Sequence, residues 1–340
     1  MKKKILALLL TALMVMSLAA CGGNADQGGD APAAPAQNEP AAPADAGGDA
    51  ASYVVGISQL VTHDALDAAT QGFQDALNEL LPGQVKFDYQ NAANDPANCA
   101  TIANSFVTKG VDLIMANATP ALQAAATATA DIPILGTSVT EYGVAFAIKD
   151  FSGTVGGNVS GTSDLAPLDQ QAAMIQEWYP DAKNIGLLYC SNEANSLYQV
   201  TTVQGYLEKM GYTCTAYPFA DSNDIAAVCQ NAVDNSDVLY IPTDNTAASS
   251  CPIIDSICHG SIPVFCGEEG ICAGCGVATL SISYYDIGYK TGEMAAQILT
   301  GEADISTMPI EYAPEFVKKY NPPMCEALGV TAPEGYEAIA

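Results

Sequence analysis

The stretch that decides the fold is VDLIMANATPA, residues 111–121, an apolar run that passes directly into Thr119-Pro120. An apolar run such as 113–116 is typical of a strand buried on both faces, and Thr-Pro is typical of a helix start. Residues 237–247, DVLYIPTDNTA, repeat the pattern. The same correspondence relates IPIL (132–135) to IPVF (262–265). The chain therefore contains two halves that are similar to each other.

Strands and helices alternate in both halves. Strands are predicted at 53–59, 85–90, 111–116 and 132–135, and again at 184–189, 213–219, 238–241 and 262–265, with helices between them. Such alternation forms parallel sheets that helices cover on both faces. The sequence thus predicts an α/β fold of two doubly wound parallel-sheet lobes with a hinge. A single larger α/β domain is the alternative.

The N-terminus predicts export. A basic segment, 1–4, precedes an apolar segment, 5–16, and the small residues 17–20 then lead to Cys21. This is a signal peptide, residues 1–20, and it is too short for a permanent membrane span. Leu18-Ala19-Ala20-Cys21 resembles the bacterial lipobox, which implies that Cys21 carries diacyl, palmitate-type lipid at the outer face of the cell membrane. Ordinary cleavage beside a cysteine is the alternative.

The segment that follows, 21–51, consists almost entirely of Gly, Ala, Pro, Asp, Asn and Gln. A segment without large aliphatic residues buries too little apolar surface to offset the entropy lost on ordering. It is therefore predicted to be a disordered tether between the anchor and the folded part.

The composition excludes several function classes. Acidic residues number 38 and basic residues 11, for a formal net charge of −27. Nucleic-acid binding depends on cationic contacts with phosphate, so none is expected here. The chain also contains no arginine, the side chain that binds phosphate and carboxylate groups in bidentate fashion. A nucleoside-triphosphate enzyme is therefore not expected either.

Polar residues accumulate where the predicted strands end, which is where open parallel sheets bind ligands. The candidate ligand-binding residues are Ser58, Gln59, Thr119, Thr140, Asn192, Glu193, Asn195, Ser196, Asp244, Asn245 and Glu268. Backbone N–H groups near Thr119, with the Ser58 and Thr140 hydroxyls, are expected to hold a carboxylate. Asp244 and Glu268 are expected to hold an ammonium group. Helix capping is the alternative for each position, since Ser, Thr, Asn and Asp are preferred caps.

Several motifs carry a more specific resemblance. They are Val55-Gly56-Ile57-Ser58-Gln59 with His63, Ala118-Thr119-Pro120-Ala121, Val159-Ser160-Gly161-Thr162-Ser163-Asp164, Asn192-Glu193-Ala194-Asn195-Ser196 and Pro242-Thr243-Asp244-Asn245. Over about 53–312 the chain resembles the tryptophan/tyrosine-type ABC transporter substrate-binding lipoproteins. The resemblance implies a type I periplasmic-binding-protein fold whose first lobe is 52–163 plus about 285–308. The second lobe would be 164–284 plus about 309–340.

The resemblance also implies a function. Such a protein closes on a small ligand, here most often an aromatic amino acid, and delivers it to an ABC permease and its ATPase, acting as a monomer. Where family members commonly carry Asp-Pro, this chain has Glu141-Tyr142, so the ligand side chain stays open. Tyr142, Phe146, Tyr198 and Tyr284 are the candidate aromatic wall. A nucleoside or other neutral solute is the alternative ligand, and a surface receptor or adhesin without a transporter is the alternative function.

Enzymatic and metal chemistry have little support in the sequence. His63 and His259 have no recognisable nucleophile partner, and no phosphate-cradling glycine loop is present. No catalytic residue, cofactor or metal is therefore predicted. Ten cysteines follow Cys21, and those from Cys258 to Cys275 include a lone Cys-x-x-Cys that leaves a zinc site as a minor alternative to buried thiols or a local disulfide.

Overall fold

The computed structural model describes residues 53–339. The predicted signal peptide (1–20), the lipidation site Cys21 and the tether (21–51) lie outside the described residues. No helix within 53–339 has both the length and the apolar character needed to cross a bilayer.

Two lobes are built from alternating strands and helices. The first contains β1 (Tyr53–Gln59), α1 (Asp64–Leu80), β2 (Val85–Asn91), α2 (Pro96–Lys109), β3 (Leu113–Asn117), α3 (Thr119–Ala128), β4 (Ile134–Val139), α4 (Tyr142–Ala145), β5 (Val159–Ser163), α11 (Tyr284–Leu299) and β11 (Glu311–Tyr312). The second contains α5 (Leu168–Trp178), β6 (Asn184–Cys190), α6 (Ala194–Lys209), β7 (Thr213–Phe219), α7 (Ile225–Asn235), β8 (Val238–Ile241), α8 (Asn245–Ser249), α9 (Cys251–Cys258), β9 (Val264–Cys266), α10 (Glu269–Cys275), β10 (Ala278–Ser281), β12 (Val317–Tyr320), α12 (Pro322–Leu328) and β13 (Glu337–Ala338).

Both sheets have the doubly wound topology. The strand order is β11-β5-β4-β3-β1-β2 in the first sheet and β13-β12-β10-β9-β8-β6-β7 in the second. All pairings in the first sheet are parallel, and in the second only β12 is antiparallel to its neighbour β10. The first strand of each lobe, β1 or β6, lies between the next two strands of the chain, so each sheet reverses its order there. The predicted fold class is confirmed.

The sequence specifies these elements locally. Strands β3 and β4 are buried along their whole length because helices cover both faces of the sheet. Helix α2 begins with Asp95 accepting a hydrogen bond from the Ala97 N–H and with Pro96 in its first turn, and it ends at Gly110 in the left-handed conformation. Hydrophobic side chains from both faces of each sheet form the cores.

The chain crosses between the lobes three times. It enters the second lobe after β5, returns to the first after β10, and leaves it again after β11. The third crossing therefore follows Tyr312, whereas the boundary predicted from the sequence is near 308. The difference arises because Glu311 and Tyr312 pair with Thr162 and Ser163 as a short edge strand of the first sheet.

Helices α1 and α11 pack against each other more closely than ordinary side chains would permit. A Cβ atom on Gly72 would overlap the carbonyl oxygen of Tyr285, and one on Gly288 would overlap that of Ala69. Glycine is therefore required on both helices where they meet. This pair fixes α11, which follows the second crossing, against α1, which follows β1.

Candidate ligand-binding site

The carboxyl ends of the first sheet's strands carry buried polar side chains. Ser58 and Ser138 are the penultimate residues of β1 and β4, and Asn117 ends β3; all three are at most 6% exposed. The Ser58 Oγ, Asn117 Oδ1 and Ser138 Oγ atoms have no hydrogen-bond partner. Buried polar atoms normally have hydrogen-bond partners. Three that lack one at the same sheet edge therefore indicate groups that are available to bind a ligand. Asn117 and Ser138 are not among the predicted site residues, although the strand-end position was a signal for both.

The backbone beside these atoms is strained. Ala118 has φ 92° and Ser138 has φ 53°, conformations that side-chain-bearing residues rarely adopt. Ala118 is the residue before α3, and no side chain caps that helix. Thr119, the first residue of α3, is buried. The N–H groups of the first turn of α3 therefore have no side-chain acceptor and are available to a ligand.

Two other predicted residues of the first lobe, Gln59 and Thr140, form hydrogen bonds with other residues of the protein. Gln59 donates to Asp67 Oδ1 at 2.6 Å and to the Val61 carbonyl at 2.8 Å, and it accepts from the Thr70 hydroxyl at 2.7 Å. These bonds make Gln59 a brace between β1 and α1. Thr140 is buried, and its hydroxyl accepts a 3.5 Å hydrogen bond from the Gln199 amide of the second lobe.

Glu193 organises the second lobe's side of the site. Its Oε1 accepts from the N–H and hydroxyl of Thr246 at 2.9 and 2.8 Å, and its Oε2 accepts from the N–H and amide of Asn245 at 3.1 and 2.7 Å. Asn195 adds a further amide donor at 3.2 Å. The carboxylate therefore occupies the N-terminus of α8, where negative charge is favoured.

Asp244 and Glu268 act as helix caps. Asp244 accepts from the Ala247 N–H at 2.8 Å and the Cys190 N–H at 2.6 Å. Glu268 accepts from the Gly270 and Ile271 N–H groups at 2.6 and 2.5 Å. All four carboxylate oxygens are thus used by backbone donors. The capping alternative describes both residues, and their contact with a ligand ammonium group stays a prediction.

The remaining predicted residues divide. Asn192 is exposed, and its amide donates to the Ala220 carbonyl at 2.9 Å, so it is not part of the buried site. Ser196 is buried and accepts from the Asn195 amide at 3.3 Å. Asn195 is buried too, and its Oδ1 atom has no hydrogen-bond partner.

The lobes contact each other directly. His63 Nε2 lies 3.2 Å from Asn245 Oδ1, and the Asn94 amide donates to the Thr246 hydroxyl at 3.0 Å. Because the Asn245 amide already donates to Glu193, its oxygen faces His63, which must carry its proton on Nε2. Burial lowers the pKa of His63, with Asn245, Glu193, Asp67 and Asp64 opposing that shift in part. The side chains held by Glu193 therefore connect the second lobe to the first.

The aromatic candidates take different places. Tyr142 is buried in the first lobe, where its hydroxyl donates to the Thr162 carbonyl at 3.0 Å. It fills space over Gly136 and Gly161 and so belongs to the core. Phe146 packs on the same core. Tyr198 lines an open depression of about 830 Å³ with Glu141 and Tyr312, and Tyr284 is buried.

The cysteines are free thiols in the described part of the chain, and all except the partly exposed Cys214 are buried. Cys229 and Cys258 approach within 3.6 Å of each other in the second lobe's core. Residues 53–339 contain no group of three His, Cys, Asp or Glu side chains arranged to hold a metal ion.

Comparisons with known proteins agree with this architecture. The family described as ABC transporter substrate binding protein matches residues 54–340. This chain belongs to that family. A tyrosine-binding protein of Clostridioides difficile (strain R20291) is 39% identical over 260 residues, 75% of each chain. The family is one of substrate-binding proteins and not of enzymes, so the prediction of no enzymatic activity is confirmed, and the substrate-binding proteins of ABC importers are extracytoplasmic.

Two solved structures bear on the arrangement of the lobes. The ABC domain in complex with L-Trp from Streptococcus pneumonia is 34% identical and has a TM-score of 0.80, covering 85% of this chain and 100% of that one. The ligand-free, open structure of a substrate-binding protein with adhesive properties from Clostridium difficile is 38% identical, with a TM-score of 0.65 and coverage of 84% and 99%. The structure of this substrate-binding protein is thus more similar to the L-Trp complex than to the open structure, although its sequence is more similar to that of the open one. This difference agrees with the hydrogen bonds that join its two lobes.

Burial of acidic groups gives the substrate-binding protein a defined pH dependence. Burial raises the pKa of Glu268 to about 7 and, with the neighbouring Glu193 charge, that of Asp244 to about 8. A folded-state pKa above the unfolded value near 4 means that the folded state binds more protons between those values, so stability increases as pH falls through that range. His63 has the opposite effect only near and below pH 6.5.

We therefore expect the free energy of unfolding of the ligand-free protein to increase by on the order of 2 kcal/mol from pH 8 to pH 6.5. Urea denaturation at the two pH values measures the difference, and Glu268→Gln should reduce it. Stability that is equal at both values, or lower at pH 6.5, would contradict this account.

Proposed function

We propose that the protein is the lipid-anchored solute-binding component of an ABC importer and that it binds an aromatic amino acid as a zwitterion between its lobes. The observation that carries the ligand proposal is a set of buried, unpartnered polar atoms at the carboxyl ends of strands or in the segments that follow them, in both lobes. They are Ser58 Oγ, Asn117 Oδ1, Ser138 Oγ, Asp164 Oδ1 and Asn195 Oδ1. Several buried hydrogen-bonding groups in a chain without arginine suit a small ligand that carries its own charges.

The carboxylate of the ligand would lie on the first lobe. The hydroxyls of Ser58 and Ser138 are free to donate, and no side chain caps the N-terminus of α3. Helix N-termini bind anions because their first N–H groups lack partners and the helix dipole favours negative charge. By contrast, Asp244 and Glu193 already occupy the N-terminus of α8.

The transport cycle would rest on closure of the lobes. A ligand that contacts both lobes stabilises the closed state only while it is present. Cys21, lipidated after signal-peptide removal, would hold the monomer at the outer face of the membrane through the tether 21–51, within reach of the permease. The relatives named as tyrosine-binding and as bound to L-Trp support the choice of an aromatic amino acid.

Thermal denaturation tests the ligand class. The full chain in detergent is heated with each of the twenty amino acids, with nucleosides and with simple sugars. At a hundredfold excess over the dissociation constant, a true ligand adds about 2.7 kcal/mol of stability, or about 5 °C in the midpoint. We expect this shift with Tyr, Trp or Phe. A shift with nucleosides alone would leave the fold assignment and replace the ligand.

Adhesion is a second candidate function, because the relative of known open structure is described as having adhesive properties. Binding of the lipid-anchored protein to host-cell surfaces would be unaffected by saturating amino acid if the two activities are separate. If an amino acid raises the denaturation midpoint but the protein does not bind to cells, transport is the one of the two functions that remains supported.

A further inference from the structure

The buried carboxylates near the interlobe site differ in how many of their oxygens have partners. Glu193, Asp244 and Glu268 each accept hydrogen bonds on both oxygens. Asp164 is 4% exposed and accepts from the Tyr284 hydroxyl on Oδ2 at 3.1 Å. Its Oδ1 has no partner. Asp164 is therefore the carboxylate of this group that retains a free, buried acceptor.

Asp164 lies where the chain crosses between the lobes. It directly follows β5, where the chain first crosses between the lobes, and Tyr284 begins α11 after the second crossing. The Asp164 N–H also donates to the carbonyl of Val139, the last residue of β4 and the neighbour of Thr140, at 3.3 Å. Asp164 thus contacts groups from both crossings and from the end of β4.

A second unpartnered acceptor is connected to the same place. Gln199 donates to Thr140 Oγ1 at 3.5 Å and to the Asn195 carbonyl at 3.2 Å. The Asn195 amide donates to Glu193, Ser196 and the Thr243 carbonyl, which fixes its Oδ1 as the free atom. Asp164 and Asn195 are therefore linked through Thr140 and Gln199, and each presents one oxygen without a donor.

We propose that Asp164 Oδ1, with Asn195 Oδ1, accepts hydrogen bonds from the α-ammonium group of the ligand and thereby selects amino acids over their des-amino analogues. The inference rests on the proposed function and names the group that recognises the amine. An ammonium group has only donors, so acceptors without other partners match it. A buried carboxylate without a cation is unfavourable, and a bound cation removes that penalty.

The surroundings of Asp164 support this assignment. The charged and titratable groups that face it are Glu268 before α10, Tyr142 of α4 and Tyr284 of α11. None of them is a cation, and no ion pair of the described chain includes Asp164. Burial raises the pKa of Asp164 to about 6, although the Thr140 and Tyr284 hydroxyls lower it in part. A ligand ammonium would favour the ionised form, so acid should weaken the binding of amines selectively.

The test compares two ligands that differ by the amine. Calorimetry on the full chain measures L-tyrosine and 3-(4-hydroxyphenyl)propanoate with the wild type, Asp164→Asn and Asp169→Asn. Asp169 is an exposed aspartate five residues away and serves as the matched control. We expect Asp164→Asn to weaken tyrosine binding at least about 30-fold while changing the des-amino acid by less than about threefold. Asp169→Asn should leave both affinities unchanged.

The outcomes separate this inference from the proposed function. An Asp164→Asn variant that keeps full tyrosine affinity, or that loses both ligands equally, overturns the ammonium assignment alone. A wild-type protein that binds no aromatic amino acid overturns the proposed function, and the assignment with it. If Asp164→Asn fails to fold, the wild type is titrated at pH 7.5 and 5. Tyrosine affinity should then fall about tenfold relative to the des-amino acid, and a constant ratio overturns the assignment.

Discussion

Replacing Gly288 by alanine is expected to lower the free energy of unfolding by at least about 3 kcal/mol. The new Cβ would overlap the Ala69 carbonyl oxygen, which is backbone and cannot move aside without separating α1 from α11. Helix α1 follows β1, which carries Ser58 of the candidate site, and α11 follows the second crossing between the lobes. Ligand affinity should therefore fall as well. Urea denaturation followed by circular dichroism measures the loss.

Gly205→Ala is the matched control for this experiment. Gly205 lies inside α6, and an added Cβ there meets nothing within 4 Å. Alanine has the higher helix propensity, so this substitution should stabilise the protein by about 0.5–1 kcal/mol. If the two substitutions have the same sign, the close approach of α1 and α11 is not the cause of the effect.

Glu193→Gln is expected to cost about 3 kcal/mol and to weaken ligand binding. Glutamine keeps the shape but turns an NH2 group toward donors of Asn245 or Thr246, which then lack an acceptor. These two side chains also contact His63 and Asn94 of the first lobe, so their displacement should weaken closure in addition to stability.

Glu208→Gln provides the comparison for Glu193→Gln. Glu208 is an exposed residue of the same helix region and accepts only from Gln204 one turn away. Its replacement should change stability by less than about 0.5 kcal/mol. Equal effects of the two substitutions in thermal denaturation would show that the five donors around Glu193 do not depend on its charge.

The acidic composition adds a uniform contribution to these measurements. A net charge of −27 destabilises the compact state through self-repulsion, and added salt screens it. The variants are therefore compared at one ionic strength. The lobe surfaces carry few cations, and the ion pairs that form among the described residues, such as Lys319 with Glu269, are at least partly exposed.

The sequence by itself determined the α/β class, the duplicated lobes and the sheet edge at which buried polar side chains collect. These properties follow from local patterns: apolar runs such as 111–116 specify buried strands, and parallel strands bring their polar carboxyl ends to one edge. The family motifs added the order in which the chain crosses between lobes. The predicted position of the third crossing differs from the structure because the two-residue strand Glu311–Tyr312 is too short to give a periodic signal in the sequence.

Only the tertiary structure decided which acidic group is free. Asp164, Glu193, Asp244 and Glu268 are all acids near strand ends in the sequence. Whether their oxygens are occupied depends on donors distant in the chain, such as Cys190 for Asp244 and Tyr284 for Asp164. Tyr142 is likewise a core residue because Gly136 and Gly161 leave room for its ring. Hydrogen-bond satisfaction and packing are properties of three-dimensional neighbours, and no local pattern contains them.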